Sequence, residues 1–336
     1  MRVQEIQDGF GIENLKLAQR PAPQPGPGEV LVEVRANSLN FRDLMTVLGR
    51  YNPNQRLPLI PLSDGAGEVR AVGDGVTRVK PGDRVAGIFA QQWLGGTPGL
   101  EVRTSTLGGP LDGMLAEQVV LHEDGLVKVP EHLSDGQAAT LPCAAVTAWH
   151  ALMENDRLMP GQTVLVQGTG GVSMFALQFA KAAGARVIIT SSSDDKLARA
   201  RELGADETIN YRNTPDWEKP VLDLTDGLGV DHVVEVGGAG TFGKSLESVR
   251  IAGTVTVIGV LSGFATEANL RPILMKAIRV QGAFVGSRQM FERMNRAIGQ
   301  HRIVPIVDQV FAFDEAGKAL ELMQRGAHFG KIVIGR

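Results

Sequence analysis

The chain is poor in the features that mark disulfide-rich, nucleic-acid-binding and membrane-spanning proteins. Its 336 residues include one cysteine, Cys143, which excludes a framework of intramolecular disulfides. The net charge is −3 and no basic block occurs, which argues against nucleic acids and anionic membranes as partners. No apolar run approaches the roughly 20 residues of a membrane span, and Met1–Glu5 is not an apolar leader. We therefore expect a soluble, cytoplasmic protein.

The first part of the chain is rich in short strands. Alternating apolar residues in Glu29–Arg35 predict a strand, and Gly65–Gly73 and Gly82–Gly87 are short apolar segments bounded by glycine. This texture is typical of a small, twisted β-barrel rather than a parallel sheet. The polar, glycine-rich stretch Trp93–Gly109 is expected to be a surface loop, and Gly330–Ile334 a last strand that returns to this part.

From about Asp135 onward, strands alternate with helices, as in a doubly wound α/β domain. A hydrophobic fraction of 43% in a chain of this length is enough for about two domains. We predict a β-barrel domain from residues 1–134 plus 287–336 and an inserted α/β domain from residues 135–286.

A glycine-dense turn follows the apolar segment Val164–Gln167 and precedes a helix with apolar spacing. The first turn of a helix binds phosphate through unpaired N–H groups and the positive end of its dipole, and glycine lets a pyrophosphate approach closely. The segment predicts a dinucleotide site, with Ser173 replacing the last glycine of the usual pattern; the alternative is an ordinary strand–turn–helix without a ligand. The residues expected to bind the cofactor here are Gly168, Thr169, Gly170, Gly171 and Val172.

The end of the next strand, Arg186–Thr190, bears on the choice of dinucleotide. NAD-preferring sites usually carry Asp or Glu there, to bond the ribose 2′-hydroxyl. This chain carries Ser191, Ser192 and Ser193 instead, so no strand-end carboxylate opposes a 2′-phosphate, and we predict NADPH rather than NADH. The competing interpretation is that Ser193 or Asp194 simply caps the next helix.

Several further motifs occur in a characteristic order: Pro25–Val30, Asn40–Asp43, Pro61–Gly67, Gly82–Val85, Leu141–Ala148 and Phe329–Lys331. Together with the glycine turn, they give a chain that resembles the medium-chain dehydrogenase/reductase superfamily over nearly its whole length. The resemblance is greatest to the zinc-independent, quinone-oxidoreductase-like branch. It implies an α/β protein: a GroES-like β-barrel catalytic domain with an inserted Rossmann-type doubly wound parallel sheet, and a cofactor cleft between the two.

The resemblance also bears on zinc, which zinc-dependent relatives bind through Cys, His and Cys with a Glu beside the His. The matching positions here are Asn40, Ser63 and Cys143, with Asp64 in place of the Glu. Catalytic zinc needs about three protein ligands, and Asn and Ser are poor ones. We therefore predict no zinc, and interpret Cys143 as a small buried apolar residue.

By the same resemblance, residues elsewhere in the chain are expected to bind the cofactor. Lys196 and Tyr211 match residues that hold the 2′-phosphate in quinone-reductase relatives, whereas a solvated Lys196 is the alternative. Phe329 and Lys331 match a C-terminal contact to the cofactor. For apolar members of the set such as Phe284, core packing is the competing interpretation. The remaining expected contacts follow later strands, at Val236, Gly237, Gly259, Val260, Leu261, Ala283, Phe284 and Val285.

Without a metal, hydride transfer suits an acceptor that spreads its own negative charge, as quinones and α,β-unsaturated carbonyls do. The protein must orient such an acceptor and donate hydrogen bonds to its carbonyl oxygen. For Arg42, the alternative to a catalytic role is an ion pair with Asp43 or Asp64. The candidate catalytic residues that the resemblance implies are Asn40, Arg42, Tyr51 and Thr147.

The leading hypothesis is a zinc-independent, NADPH-dependent oxidoreductase that transfers hydride to a quinone or an α,β-unsaturated carbonyl. A metal-free alcohol or carbonyl oxidoreductase, and an NADPH-binding protein with little turnover, are the alternatives. The resemblance also implies a homodimer, because the strand Val280–Val285 would be a sheet edge that can pair with its copy.

Overall fold

Strands and helices fill most of the computed structural model, which describes residues 1–336. The strands are β1 Arg2–Ile6, β2 Leu15–Gln19, β3 Glu29–Ser38, β4 Asp64–Val72, β5 Arg84–Gly87, β6 Gln118–His122, β7 Leu126–Lys128, β8 Thr163–Gln167, β9 Arg186–Ser191, β10 Glu207–Asn210, β11 Val230–Glu235, β12 Val249–Val257, β13 Arg279–Gly282, β14 Val307–Ala312 and β15 Lys331–Gly335. The helices are α1 Phe41–Val47, α2 Glu101–Thr104, α3 Asp135–Ala138, α4 Val146–Trp149, α5 Gly171–Ala182, α6 Asp194–Glu202, α7 Glu218–Asp223, α8 Phe242–Ser248, α9 Arg271–Met275, α10 Arg288–His301 and α11 Ala316–Arg325. Wider π-helical turns flank α4 at Leu141–Ala145 and His150–Asn155.

The contacts between residues divide the chain into two units. The first unit is Met1–Val146 with Gly286–Arg336, and the second is Thr147–Val285. The sequence-based boundary after residue 134 lies earlier than this one. The difference arises because α3 packs on β3 and β4, and the turn Leu141–Ala145 packs on β4 and β5, so that these residues stay with the first unit.

The first unit is built around β3, which is ten residues long and pairs antiparallel with β4, β6 and β15. Register shifts against β4, between Leu31 and Val32 and between Val34 and Ala36, interrupt the regular ladder. Such bulges bend a strand and increase its twist, as a barrel requires. The chain's last strand, β15, pairs with β3, so the final apolar segment returns to the first unit as predicted. The barrel core contains Val30, Val32, Val69, Val79, Val85 and Leu126.

The second unit is a six-stranded parallel sheet in the order β10-β9-β8-β11-β12-β13. The centre of β8, Val164–Val166, and of β9, Val187–Ile189, is fully buried, which explains the continuous apolar runs in the sequence. Chain order reverses between β8 and β11, and ligands of such sheets bind at this switch point, outside the carboxyl ends of the strands. The sheet and its helices form the predicted doubly wound domain.

The stretch Trp93–Gly109 is only in part the surface loop that its polarity predicted. Its centre is exposed, with Leu100 at 84%, but residues on either side and Val102 are buried. Trp93 and Val102 are 3% exposed and Leu107 is 1% exposed, and the short helix α2 lies within the stretch. A few widely spaced apolar side chains anchor it, and no periodic pattern reveals them in the sequence. Among the helices of the structure, none combines the length and the apolar character needed to cross a membrane.

Candidate active site and nucleotide-binding turn

The glycine turn after β8 has the shape of a phosphate cradle. Gly168 has φ 69°, which favours glycine, and a Cβ at Gly168 or Gly170 would meet no atom within 4 Å. Helix α5 begins at Gly171, and no side chain caps its N-terminus. The hydroxyl of Ser173 donates to the carbonyl oxygen of Gln167 at 2.7 Å, so the serine that replaces the third glycine ties strand to helix. Open space in front of uncapped N–H groups fits an anionic ligand.

At the end of β9, the structure brings Ser191 and Tyr211 together. The backbone N–H of Tyr211 donates to the carbonyl oxygen of Ser191 at 3.0 Å, and the Tyr211 side chain is 41% exposed. The Ser193 hydroxyl accepts from the backbone N–H of Lys196 at 3.4 Å, so Ser193 is the cap of α6, as the competing interpretation had it. The carboxylate of Asp194 accepts from the side-chain amide of Asn210 at 2.7 Å.

The loops after β11 and β12 lie against each other. Gly259 approaches Val236 so closely that a Cβ there would lie 2.6 Å from the Val236 carbonyl oxygen, and the N–H of Leu261 donates to the same oxygen at 3.3 Å. Val285 has φ 48°, and its carbonyl oxygen contacts Nδ1 of His150 at 2.8 Å. The structure thus groups the expected contacts Val236, Gly237, Gly259, Val260 and Leu261 at the carboxyl edge of the sheet.

In the first unit, Asn40, Ser63, Asp64 and Lys331 form one buried cluster. The Lys331 ammonium donates to Oδ1 of Asn40 at 2.5 Å and lies 3.8 Å from Oδ2 of Asp64. Nδ2 of Asn40 donates to Oγ of Ser63 at 3.4 Å, and the Ser63 hydroxyl donates to Oδ1 of Asp64 at 3.0 Å. Asp43 braces the cluster, because its carboxylate accepts from the backbone N–H groups of Asn40 at 2.8 Å and Ser63 at 3.2 Å.

Burial controls the ionisation of this cluster. It raises the pKa of Asp64 to about 6, while Lys331, Asn40 and Ser63 act in the opposite direction. Burial and the nearby Asp64 carboxylate also raise the pKa of the Cys143 thiol above its usual range. Cys143 is therefore a neutral thiol at physiological pH, but the residue is half-buried rather than fully buried as expected.

The guanidinium of Arg42 is committed to the protein itself. Nη1 donates to the carbonyl oxygens of Leu107 at 2.9 Å and Gly108 at 3.1 Å, and Nη2 donates to that of Gly109 at 2.9 Å. Nη1 also lies 3.3 Å from Oδ1 of Asp43. The structure therefore favours the ion-pair interpretation of Arg42 over a donor to substrate.

The other predicted residues divide between the units. Tyr51 is 47% exposed, and its ring lies 4.8 Å from the Arg42 guanidinium carbon. Thr147, 3% exposed, lies on α4 at the start of the second unit. Phe329 and Lys331 are buried in the first unit, at 1% and 3% exposure, so their side chains are part of its interior.

Comparisons with known proteins give the family. The family "Alcohol dehydrogenase GroES-like domain" matches residues 26–131, and "Zinc-binding dehydrogenase" matches residues 171–300. A zinc-type alcohol dehydrogenase-like protein of Schizosaccharomyces pombe is 45% identical over 331 residues, which cover 96% of either chain. The chain belongs to the medium-chain dehydrogenase/reductase superfamily. As a member, it is an oxidoreductase, and the fold and enzyme class predicted from its motifs are confirmed.

Solved structures of the superfamily extend over the whole chain. The structure of an NAD-dependent alcohol dehydrogenase is 34% identical with a TM-score of 0.91, and the match covers 100% of both chains. That of the crotonyl-CoA carboxylase/reductase AntE in complex with NADP is 26% identical with a TM-score of 0.87, covering 100% of this chain and 94% of that one. The names of these two structural neighbours therefore mention NAD in one case and NADP in the other.

Two residues of this superfamily member were missed by sequence reasoning. Glu235, at the end of β11, is fully buried, and its carboxylate accepts from the N–H groups of Gly237 at 2.8 Å and Gly238 at 2.9 Å. Gln167, at the end of β8, donates to the same carboxylate at 2.8 Å. The pair fixes the turn that contains the expected contacts Val236 and Gly237. The signal for it was a polar residue at the end of each of two apolar strands.

Proposed function

We propose that this chain is a zinc-independent, NADPH-dependent reductase that transfers hydride to a quinone or an α,β-unsaturated carbonyl. The observation that carries the proposal is the Lys331 ammonium in the cluster of Asn40, Ser63 and Asp64. By the resemblance, Asn40 and Ser63 stand at two of the positions where zinc-dependent relatives have metal ligands. The positive charge at this place is therefore supplied by the Lys331 side chain of the protein itself.

The donor set does not fit catalytic zinc. Such zinc takes about three nitrogen, sulfur or carboxylate ligands, and the amide of Asn40 and the hydroxyl of Ser63 are poor substitutes. Cys143 alone, of the three matching positions, keeps a residue type that zinc favours. The positive charge of Lys331 adds repulsion toward a divalent cation. We therefore derive no step through a metal.

The residues at the end of β9 fit a 2′-phosphate. No carboxylate ends the strand, Ser191 and Tyr211 adjoin, and one oxygen of the nearest carboxylate, Asp194, is engaged by Asn210. Hydroxyl and cationic donors favour a phosphate dianion, and Lys196 follows in the first turn of α6. NADPH is accordingly our proposed cofactor, although one structural relative is described as NAD-dependent.

Bound NADPH would supply the hydride, and the chain's own residues would prepare the acceptor. An enone or quinone disperses the charge that develops on its oxygen, so hydrogen-bond donors replace the need for a metal. Asn40 is the proposed donor, because Lys331 holds its carbonyl oxygen and leaves its amide nitrogen to donate. Arg42 and Asp43 hold the surrounding backbone in place.

The test is NADPH oxidation by the purified protein in the presence of a chelator, against quinones, enones and simple aldehydes, with NADH in parallel. We expect turnover of quinones or enones with NADPH and no gain from added zinc. Turnover restricted to aldehydes would support a metal-free alcohol or carbonyl oxidoreductase, and a requirement for zinc would overturn the proposed chemistry. Tight NADPH binding without turnover of any acceptor would favour a binding protein.

We further propose a homodimer formed through the second unit. All four residues of the edge strand β13 are exposed, although Val280 is apolar. The adjoining α9 exposes Leu274 at 79% and Met275 at 68%, and Leu270 before it is 68% exposed. Unpaired edge strands and contiguous apolar surface are the features that a two-fold interface covers.

A further inference from the structure

Lys331 is a lysine that the protein buries almost completely. Its side chain is 3% exposed, and its ammonium donates to the carbonyl oxygen of Leu39 and to Oδ1 of Asn40, both at 2.5 Å. The nearest opposite charge is the Asp64 carboxylate at 3.8 Å. A buried ammonium costs free energy unless it is paired and hydrogen-bonded, so this geometry is maintained by the cluster as a whole.

The ammonium determines which way the Asn40 amide points. Lysine has donors and no acceptor, so the atom of Asn40 that faces it must be the carbonyl oxygen. The amide nitrogen is thereby turned toward Ser63, whose hydroxyl donates onward to Asp64. The four side chains close a ring that begins at a cation and ends at an anion, and each hydrogen bond runs in one direction around it.

Asn40 is the least buried member of this ring. It is 7% exposed, whereas Lys331 is 3% exposed and Ser63 and Asp64 are 0% exposed. Its amide nitrogen carries two N–H groups; it donates to Ser63 at 3.4 Å and also faces the Asp64 carboxylate. A hydrogen bond from the ammonium to the amide oxygen also polarises the N–H groups at the other end of the same amide.

We propose that Lys331 is a positioning residue that locks Asn40 with its N–H groups presented to the carbonyl oxygen of the hydride acceptor. The ammonium replaces the charge of a metal, but acts through the asparagine rather than on the substrate directly. The inference rests on the proposed reductase function. It differs from the role that the resemblance implied for Lys331, a direct contact to the cofactor.

The first test compares Lys331→Met, the double variant Asp64→Asn with Lys331→Met, and Lys331→Arg. We expect Lys331→Met to lower kcat about tenfold or more while the Kd of NADPH, measured by fluorescence, stays unchanged. The double variant removes both charges, so it should recover thermal stability without recovering kcat. Lys331→Arg, which keeps a charged donor, should recover part of kcat. Lys318→Met, at a surface lysine paired with Glu315, is the matched control.

Two results would overturn the proposal. Weaker NADPH binding with unchanged kcat would make Lys331 a cofactor contact. Recovery of both stability and kcat in the double variant would make it merely the counter-ion of Asp64. If the single variant fails to fold, the double and arginine variants still separate these outcomes.

A second readout does not depend on turnover. With [15N]asparagine labelling, the side-chain N–H signals of Asn40, identified by their loss in Asn40→Asp, should exchange slowly with solvent in the unsubstituted protein. They should shift and exchange faster when Lys331 is methionine, and stay unchanged in Lys318→Met. Unaltered Asn40 signals in Lys331→Met would contradict the proposal. If no acceptor is turned over, the proposed function fails while this measurement still decides the orientation.

Discussion

Among single residues, Asp64 is expected to make stability depend on pH. Its pKa is raised to about 6 from an ordinary value of 3.8, chiefly by burial, so the folded chain holds this proton more tightly than the unfolded chain. The contribution of Asp64 to stability is therefore fully present below about pH 4 and is lost as pH rises to about 6. Urea unfolding of the unsubstituted protein and of Asp64→Asn, at several pH values, measures it.

The quantity to compare is the difference in unfolding free energy between the two proteins. It should fall as pH rises through that window and level off above it. Asp314→Asn, at a carboxyl that is 62% exposed, is the control and should show no such trend. A difference that is constant or increases with pH would mean that Asp64 is ionised throughout.

Substitution of Arg42 should lower the stability of the protein, because its guanidinium is bound to the protein's own backbone. Its planar fork reaches three carbonyl oxygens of Leu107, Gly108 and Gly109, which the single ammonium of lysine cannot do. We expect Arg42→Lys to cost about 2–4 kcal/mol of stability and to increase hydrogen exchange in the peptide around these residues. Arg103→Lys, on the exposed face of α2, should cost almost nothing. Lost turnover with unchanged stability and exchange would instead indicate a substrate donor.

At the scale of elements, the glycine turn before α5 allows a direct test of cofactor binding. A Cβ at Gly170 would meet no atom within 4 Å, and the backbone there has φ −80°, so we expect Gly170→Val to fold normally. The added methyl groups would occupy the space for a pyrophosphate, and we expect the Kd of NADPH to rise at least about tenfold. Gly243→Val, at an equally open glycine on α8, is the control. Equal affinities for NADPH would place the phosphates elsewhere.

Elements with a strong local pattern were predictable from the sequence. Buried parallel strands read as continuous apolar runs, and β8 and β9 begin and end within one residue of the expected bounds. The buried side chains within Trp93–Gly109 were not predicted, because isolated apolar residues have no periodic spacing.

The cluster around Lys331 was beyond prediction from local sequence. Lys331 and Asn40 are 291 positions apart, and only the pairing of β15 with β3 brings them together. The motifs indicated that both residues matter, and the contact between them needed the structure. The same holds for Gln167 and Glu235, which lie 68 positions apart on neighbouring strands.

For the whole molecule, the proposed homodimer can be tested by a proline substitution in the edge strand β13. The N–H of Ala283 donates to the carbonyl oxygen of Val257 at 3.1 Å, so proline there would damage the sheet itself. The backbone N–H groups of successive residues in a strand point alternately to either side. The N–H of Val280 therefore points away from β12, toward the open edge of the sheet. Val280→Pro should therefore leave the fold intact and weaken a dimer that pairs β13 with its copy, as seen by sedimentation velocity.

The apolar surface beside this edge gives a matched pair of substitutions. Leu274 is 79% exposed on α9, next to the edge strand, and Leu228 is 74% exposed elsewhere in the second unit. A buried unpaired carboxylate is costly, so Leu274→Asp should shift sedimentation toward the monomer by raising the dimer dissociation constant at least about tenfold. Leu228→Asp adds the same charge to the same unit and should sediment as the unsubstituted protein does. If both variants sediment alike, α9 is not part of an interface, and the exposure of Leu274 and Met275 needs another explanation.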